Sequence, residues 1–208
     1  FASPHPRHVT SRMIDAIRDL PSVCKHLHLP AQSGSTRILE TMRRRYTRDD
    51  YLRLVEKIRG ALPNIALSTD MIVGFPGETP EDFADTLSLV QEVGFHSMFS
   101  FKYSERPNTL AQKRMPDDVS EAEKGTRLSE LQKLQHDIQL DLNNEMLGQA
   151  VEVLVEATSR RRDYEMFGRT TGNTVANFPG QQSWVGQLVN VKIERVGPHS
   201  VWGRVLEG

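Results

Sequence analysis

The stretch Ile65-Ala66-Leu67-Ser68-Thr69-Asp70-Met71-Ile72-Val73 constrains this chain more than any other. It is short, mostly apolar and rich in β-branched residues, which reads as a strand buried on both faces. The turn Gly74-Phe75-Pro76-Gly77 stops it. Thr79-Pro80-Glu81-Asp82 then supplies an N-cap, a proline at the first helical position and acids in the first turn. A helix carrying Phe83, Leu87, Leu89 and Val90 follows, ending near Gly94, and Phe95 to Tyr103 reads as another strand. His26-Leu27-His28-Leu29 is an earlier strand, stopped by Pro30. Strand, turn and helix in alternation predict parallel β/α units, whose chemistry gathers at the turns after the strands.

Helical spacing extends the pattern over 9–20 and 48–61, and Gln32-Ser33-Gly34-Ser35 leads into a helix with Ile38, Leu39 and Met42 on one face. After Pro116 the text changes. Ser120 and the acids behind it start a long helix that Gly148 closes. Short β runs follow at Val151–Ala157, Tyr164–Arg169, Thr174–Phe178, Leu188–Val196 and Ser200–Leu206. Five such strands predict a small closed antiparallel barrel, because closure removes exposed edges. The expected division is 1–146, a β/α part with its connecting helix, and 147–208, the barrel.

Composition excludes several classes. No apolar run approaches the roughly eighteen residues of a membrane-spanning helix. A formal net charge of -1 means that any nucleic acid is held by local basic surface. Phe1-Ala2-Ser3-Pro4-His5-Pro6 lacks an initiator Met and the features of a signal peptide, so the chain is expected to start inside a longer protein. Cys24 is the single cysteine, which excludes an internal disulfide and fits a reducing compartment. One thiol also cannot hold an iron–sulfur cluster.

Four constellations carry chemistry. In His28-Leu29-Pro30-Ala31-Gln32-Ser33-Gly34-Ser35, a glycine among small hydroxyl residues lets a ligand approach the backbone, and the next helix points its N-terminus there. The plain alternative is a βα turn with a serine cap. Asp70 is an acid in an apolar strand, placed to accept ribose hydroxyls or to cap nearby backbone. Gly74 and Gly77 leave room for a flat ring, or only make a turn. Arg43-Arg44-Arg45 is a solvated helix face or folds one guanidinium back onto an anionic ligand. Arg160-Arg161-Arg162, with Arg169, Asn173 and Lys192, gives the barrel cations for phosphates, and Tyr164 and Phe167 offer stacking faces. Nearby acids almost balance that charge. The histidines show no metal-ligand spacing, so His26 and His28 are assigned packing or hydrogen-bonding roles.

Taken together, Ser3-Pro4-His5-Pro6, His28–Ser35, Met42–Thr47, Ser68–Thr79, Tyr103-Ser104-Glu105-Arg106-Pro107 and Gly168-Arg169-Thr170-Thr171-Gly172-Asn173 resemble the radical S-adenosylmethionine (SAM) methylthiotransferases that modify transfer RNA. They recur in that family's order over essentially the whole chain. The nearest look-alike is the branch that converts isopentenyladenosine beside the anticodon to its 2-methylthio form. The resemblance implies a partial radical SAM (TIM-like) β/α barrel followed by a TRAM domain, an OB-like RNA-binding barrel. It implies SAM contacts at Gln32, Ser33, Asp70, Ile72, Val73, Gly77 and Glu78, with Arg44 on the methionyl carboxylate. Arg160, Arg169 and Asn173 would face RNA, specifically a tRNA anticodon stem-loop. It further implies SAM and two 4Fe–4S clusters in the full-length parent, a monomer, no membrane, and a cytoplasmic or organellar setting. The cluster cysteines of the family have no counterpart here, so the chain alone is expected to be inactive, with metal ligands and catalytic residues absent. Asn108 stands where many family members have glycine. Sister enzymes acting on threonylcarbamoyladenosine or on a ribosomal-protein aspartate share the pattern, and a purely RNA-binding fragment is the non-enzymatic alternative.

Overall fold

Three strands run parallel in a small sheet: β1 (His26–His28), β2 (Ala66–Val73) and β3 (Ser97–Lys102), in that order. The computed structural model describes residues 4–159 and 164–206. Register places Leu27 beside Leu67, Ser68 beside Ser97 and Ile72 beside Phe101. Side chains alternate across a strand, so Leu27, Leu67, Thr69, Met71 and Val73 share one face, and all five are fully buried. The other face carries His26, His28, Ser68, Asp70, Ile72, Phe99 and Phe101. The continuous apolar run therefore hides two chemically different faces.

Four helices cover the first face. They are α1 (Ser11–Asp19), α2 (Thr36–Thr41), α3 (Arg48–Ala61) and α4 (Pro80–Val93). Capping boxes open α3 at Thr47/Asp50 and α4 at Thr79/Asp82, and α4 ends on left-handed Gly94. Tyr51, Val55 and Ile58 from α3 join Phe83, Leu89 and Val90 from α4 in one core with the sheet. A short helix absent from the sequence reading, α5 (Leu110–Arg114), follows β3 and is capped by Thr109. Asn108 before it sits at φ +67. Asparagine tolerates that left-handed conformation better than most residues, which accounts for its standing in a glycine position.

The long helix α6 (Glu121–Asn144) packs on β3 and α4, burying Leu131 and donating from Gln135 Nε2 to Phe95 O at 2.7 Å. It leads into five strands, β4 (Ala150–Thr158), β5 (Glu165–Thr170), β6 (Val175–Pro179), β7 (Leu188–Val196) and β8 (Ser200–Val205). They close in the order β4-β5-β6-β8-β7 around Val153, Val155, Met166, Phe178, Val191 and Ile193. One departure from expectation has a simple cause. A closed ring with an odd number of strands cannot alternate direction throughout, so one pair, β6 with β8, is parallel.

The barrel docks on the sheet through its β5–β6 turn. Thr171 Oγ1 accepts from Lys25 N at 3.0 Å, and Gly172 lies against Ala66. At the far end of α6, Asn143 Nδ2 donates to Gly197 O at 2.6 Å. No helix among the described residues is long and apolar enough to cross a membrane.

Packing of α4 against the Gln32–Ser35 turn depends on Gly34. A Cβ there would stand 2.3 Å from Asp85 O and 2.5 Å from Thr86 Cα, both backbone atoms that cannot rotate away. Gly34→Ala is expected to cost about 2 kcal/mol, typical of overpacking, read as a lowered urea midpoint with an unchanged slope.

Candidate functional site

A cleft of about 860 Å³ opens at the carboxyl ends of β2 and β3, where parallel β/α folds place their ligands. Its floor is apolar: Ile72, Met42 and Met115 surround Phe75 and Tyr103, whose rings meet edge to face at 5.1 Å. Arg44 reaches it through the chain path rather than along a helix. Met42 ends α2, Arg43 takes a left-handed φ of 57°, and Arg43 N and Arg44 N bond back to Glu40 O and Leu39 O. That Schellman-type ending turns the Arg43–Arg45 run off the helix, and Arg43 and Arg44 both line the cleft.

The Gln32–Ser35 turn is tightly bound into the protein. Gln32, at φ 72°, donates its N–H to Asp70 O and accepts from Ile72 N, extending the strand pairing by one residue. Ser33 is fully buried, with its Oγ 3.4 Å from Thr86 Oγ1, and Gly34 N donates to that same Thr86 hydroxyl. Ser35 caps α2 and donates to Asp82 Oδ1 at 2.6 Å, while Arg37 pairs with the Asp82 carboxylate. Burial opposes ionisation of Asp82, but the bonds from Arg37, Ser35 and Thr79 hold its carboxyl well below the usual range. The hydroxyls of Tyr46 and Tyr51 donate to Ala31 O and Leu29 O, pinning the segment just before the turn. The close approach that Gly34 permits is thus made by α4.

Among the described residues Asp70 caps no backbone group. Its Oδ1 lies 3.3 Å from His28 Nε2, and a polar ladder continues from there. His28 Nδ1 is 2.8 Å from Ser68 Oγ, which is 3.0 Å from His26 Nε2. Sequence reasoning singled out Asp70 and passed over Ser68. The signal was present, since His-x-His and Ser-x-Asp at matched parity on adjacent parallel strands must share a face. Burial lowers the His26 pKa, with smaller contributions from His28 and Arg169.

Ile72 and Val73 point opposite ways. Ile72 lines the cleft, whereas the Val73 side chain is buried under the helices and its carbonyl accepts from Tyr103 N at 2.8 Å. The Gly74–Glu78 turn is held by α6. Glu78 Oε1 accepts from Gly74 N at 2.8 Å and from Arg127 Nη1 at 2.7 Å. Gly74 has φ +69, and a Cβ there would lie 2.3 Å from Lys124 Cγ, so the space beside it belongs to that lysine stem. Gly77 donates its N–H to Asp118 and its carbonyl accepts from Arg37. Burial pushes the Glu78 carboxyl up, against the pull of Gly74 N–H and Arg127.

On the barrel, Arg169 Nη1 bonds Asn173 Oδ1 at 3.2 Å and its Nε faces Glu156 at 3.3 Å, leaving both Arg169 and Asn173 exposed beside the docked turn. Tyr164 is 64% exposed. Arg160, Arg161 and Arg162 lie outside the described residues. Cys24 is exposed, and no group of three His, Cys, Asp or Glu among the described residues is placed to hold a metal.

Two family models match separate stretches of the chain. Residues 2–90 match the radical SAM superfamily and residues 144–206 match the TRAM domain. The chain is 45% identical over 207 residues to a tRNA-2-methylthio-N(6)-dimethylallyladenosine synthase of Thermoanaerobacter pseudethanolicus, covering 100% of this chain and 44% of that protein. A relative with the same description from Acetivibrio thermocellus is 48% identical over 206 residues, covering 99% of this chain and 43% of its own length. The chain therefore spans less than half the length of these relatives. Among solved structures, coproporphyrinogen III oxidase (HemN) from Escherichia coli, a radical SAM enzyme, superposes with a TM-score of 0.53 at 17% identity, over 91% of this chain and 44% of that one. That likeness concerns the fold.

Two outcomes follow from the buried charges. Arg127→Ala leaves the Glu78 carboxylate buried without its cation, and is expected to cost about 3–5 kcal/mol of stability, measured by urea unfolding; Glu78→Gln in that background should recover part of it. His96, with Nδ1 buried and unpartnered, is pushed down to about 4 by burial and then by Arg59 and His26. The folded imidazole stays neutral while the unfolded chain binds a proton below its ordinary 6.5. Stability should therefore fall as pH drops from about 6.5 towards 4, and a series of urea midpoints should be flatter for His96→Gln.

Proposed function

We propose, on the match of residues 2–90 to the radical SAM superfamily and of residues 144–206 to the TRAM domain, that the chain is the SAM-pocket and RNA-binding portion of an enzyme that methylthiolates N6-isopentenyladenosine beside the anticodon of tRNA. The observation that carries this reading is the cleft itself: an apolar floor at the strand ends, with Arg44 on its wall and no acid lining it. Such a site suits a flat nucleoside with a carboxylate reaching the guanidinium. Identity of 45% over the chain's whole length to curated synthases of that description supports the substrate class.

Within this reading Arg44 binds the methionyl carboxylate and Ile72 packs beside the adenine, both lining the cleft, while Asp70 and Gln32, which do not line it, keep the ribose role that the family resemblance implies. His28 Nε2 stands 3.3 Å from Asp70 Oδ1 and leaves the second carboxylate oxygen for a hydroxyl. Ser33, Val73, Gly77 and Glu78 act on the ligand through the backbone they hold in place, since Ser33 Oγ, the Val73 side chain, Gly77 N–H and Glu78 Oε1 are engaged inside the protein. SAM bound here supplies the methyl group and the hydrogen-abstracting adenosyl fragment. The described residues offer no ligand set for the two 4Fe–4S clusters, so no step is assigned to them in this chain. Arg169 and Asn173 present the barrel to phosphates of the anticodon stem-loop. A cytoplasmic monomer acting on tRNA is the accompanying picture.

The test is binding of a fluorescent anticodon stem-loop against binding of a ribosomal-protein peptide carrying the target aspartate. Tight RNA binding that weakens with salt is expected. Arg169→Ala should weaken it roughly threefold to tenfold and lower the slope of log K against log salt by about 0.7, one phosphate contact's share. Preference for the peptide would sink the tRNA assignment.

A further inference from the structure

The cleft wall is more cationic than one carboxylate requires. Arg43, Arg44, Lys102, Arg106 and Arg114 all line it, and among the described residues no aspartate or glutamate does. Several arginines elsewhere are paired, Arg37 with Asp82, Arg48 with Glu92, Arg127 with Glu78 and Arg169 with Glu156, and Arg59 and Arg195 are held by backbone carbonyls and by the Trp202 ring, respectively. Around the cleft only Lys102 has such a partner, Glu121 at 3.5 Å. Arg43, Arg44, Arg106 and Arg114 form no side-chain ion pair among the described residues. Like charges gathered over an apolar floor repel one another and focus a positive potential outward, a cost that an anionic ligand removes.

Two left-handed residues shape the walls. Arg43 is at φ 57° on one side, and Asn108 at 67° opens the turn between Arg106 and α5 on the other. Thr109 caps that helix, and Ala111 and Met115 anchor it on Phe75 and Tyr103. The turn and the helix thereby carry Arg106 and Arg114 to the cleft. Phe101, also lining the cleft, is 52% exposed. Cations with an open aromatic face form the combination that grips single-stranded nucleic acid, phosphates on the guanidinium groups and a base on the ring.

We propose that this cleft mouth is an RNA-binding surface separate from the barrel: Arg43, Arg106 and Arg114 take backbone phosphates of nucleotides flanking the modified base, and Phe101 stacks on one of the bases. The inference rests on the tRNA reading above and adds a second site of contact to it. Arg44 remains for the SAM carboxylate, so the two anions do not compete.

The experiment is a salt titration of binding between the 208-residue chain and a fluorescent anticodon stem-loop. R106A/R114A should weaken binding about tenfold and lower the log K against log salt slope by about 1.4, two single-strand phosphate contacts at roughly 0.7 each. R106K/R114K should restore most of both. F101A should weaken binding by at least about fivefold with little change of slope, as loss of a stacked base does. Thermal unfolding of each variant at the wild-type midpoint confirms that the fold is kept. If R106A/R114A binds like wild type while R169A weakens binding, the cleft surface is wrong and the tRNA reading stands. If wild type binds no RNA, or if polyglutamate binds the cleft as tightly with the same response to R106A/R114A, both the surface and its RNA ligand are overturned.

Discussion

The Glu78 carboxylate is fully buried, and a charge at that depth persists only through what it meets. It meets Arg127 of α6 and the N–H of Gly74, so one ion pair joins the turn after β2 to the long helix. The Lys124 stem fills the space beside Gly74 a turn earlier in that helix, with its ammonium on Asp117. These bonds settle three things together. They set the height of the turn that closes one side of the cleft. They also seat α6 across β3, and by fixing α6 they fix where the barrel begins.

The division of β2 into two faces governs the rest of the site. Met71 and Val73 belong to the helix-covered core, while Ser68, Asp70 and Ile72 look out from the opposite face. On that open face the His26–Ser68–His28–Asp70 ladder satisfies polar groups that a purely apolar sheet would lack. The barrel docks at the start of the same strands, through Thr171 on Lys25 and Gly172 on Ala66. Six residue rises, from Ala66 to Ile72, at about 3.3 Å each separate that docking point from the cleft. The exposed arginine of the barrel turn and those of the cleft mouth therefore lie towards opposite ends of β2, a spacing suited to a ligand as long as a stem-loop.

Much of this could be read in advance because it is local. Thr79 capped its helix where the sequence placed the N-cap, and the five barrel strands fell within a residue or two of their β runs. Pairing across the ring was not local: the parallel β6–β8 contact follows from counting strands and from which edges meet. α5 has five residues and no buried one, so no periodicity announced it. Ser33 looked like a ligand contact because small hydroxyl residues in a turn serve ligands and neighbouring helices equally well. Only the arrival of α4, with Thr86 over Gly34, showed which use its hydroxyl has here.

The sequence by itself determined the β/α order, the caps, the five-stranded ending and the likeness to radical SAM and TRAM proteins. These depend on spacing and residue type within a few positions of one another. Tertiary structure decided which side of each strand faces the cleft, that His28 rather than backbone meets Asp70, and that Arg106 and Arg114 join Arg43 and Arg44 some sixty residues away. The reason is physical. A side chain's neighbours across a sheet or a cleft are set by register and by the docking of whole elements, and burial of one ion pair, Glu78 with Arg127, holds that docking in place.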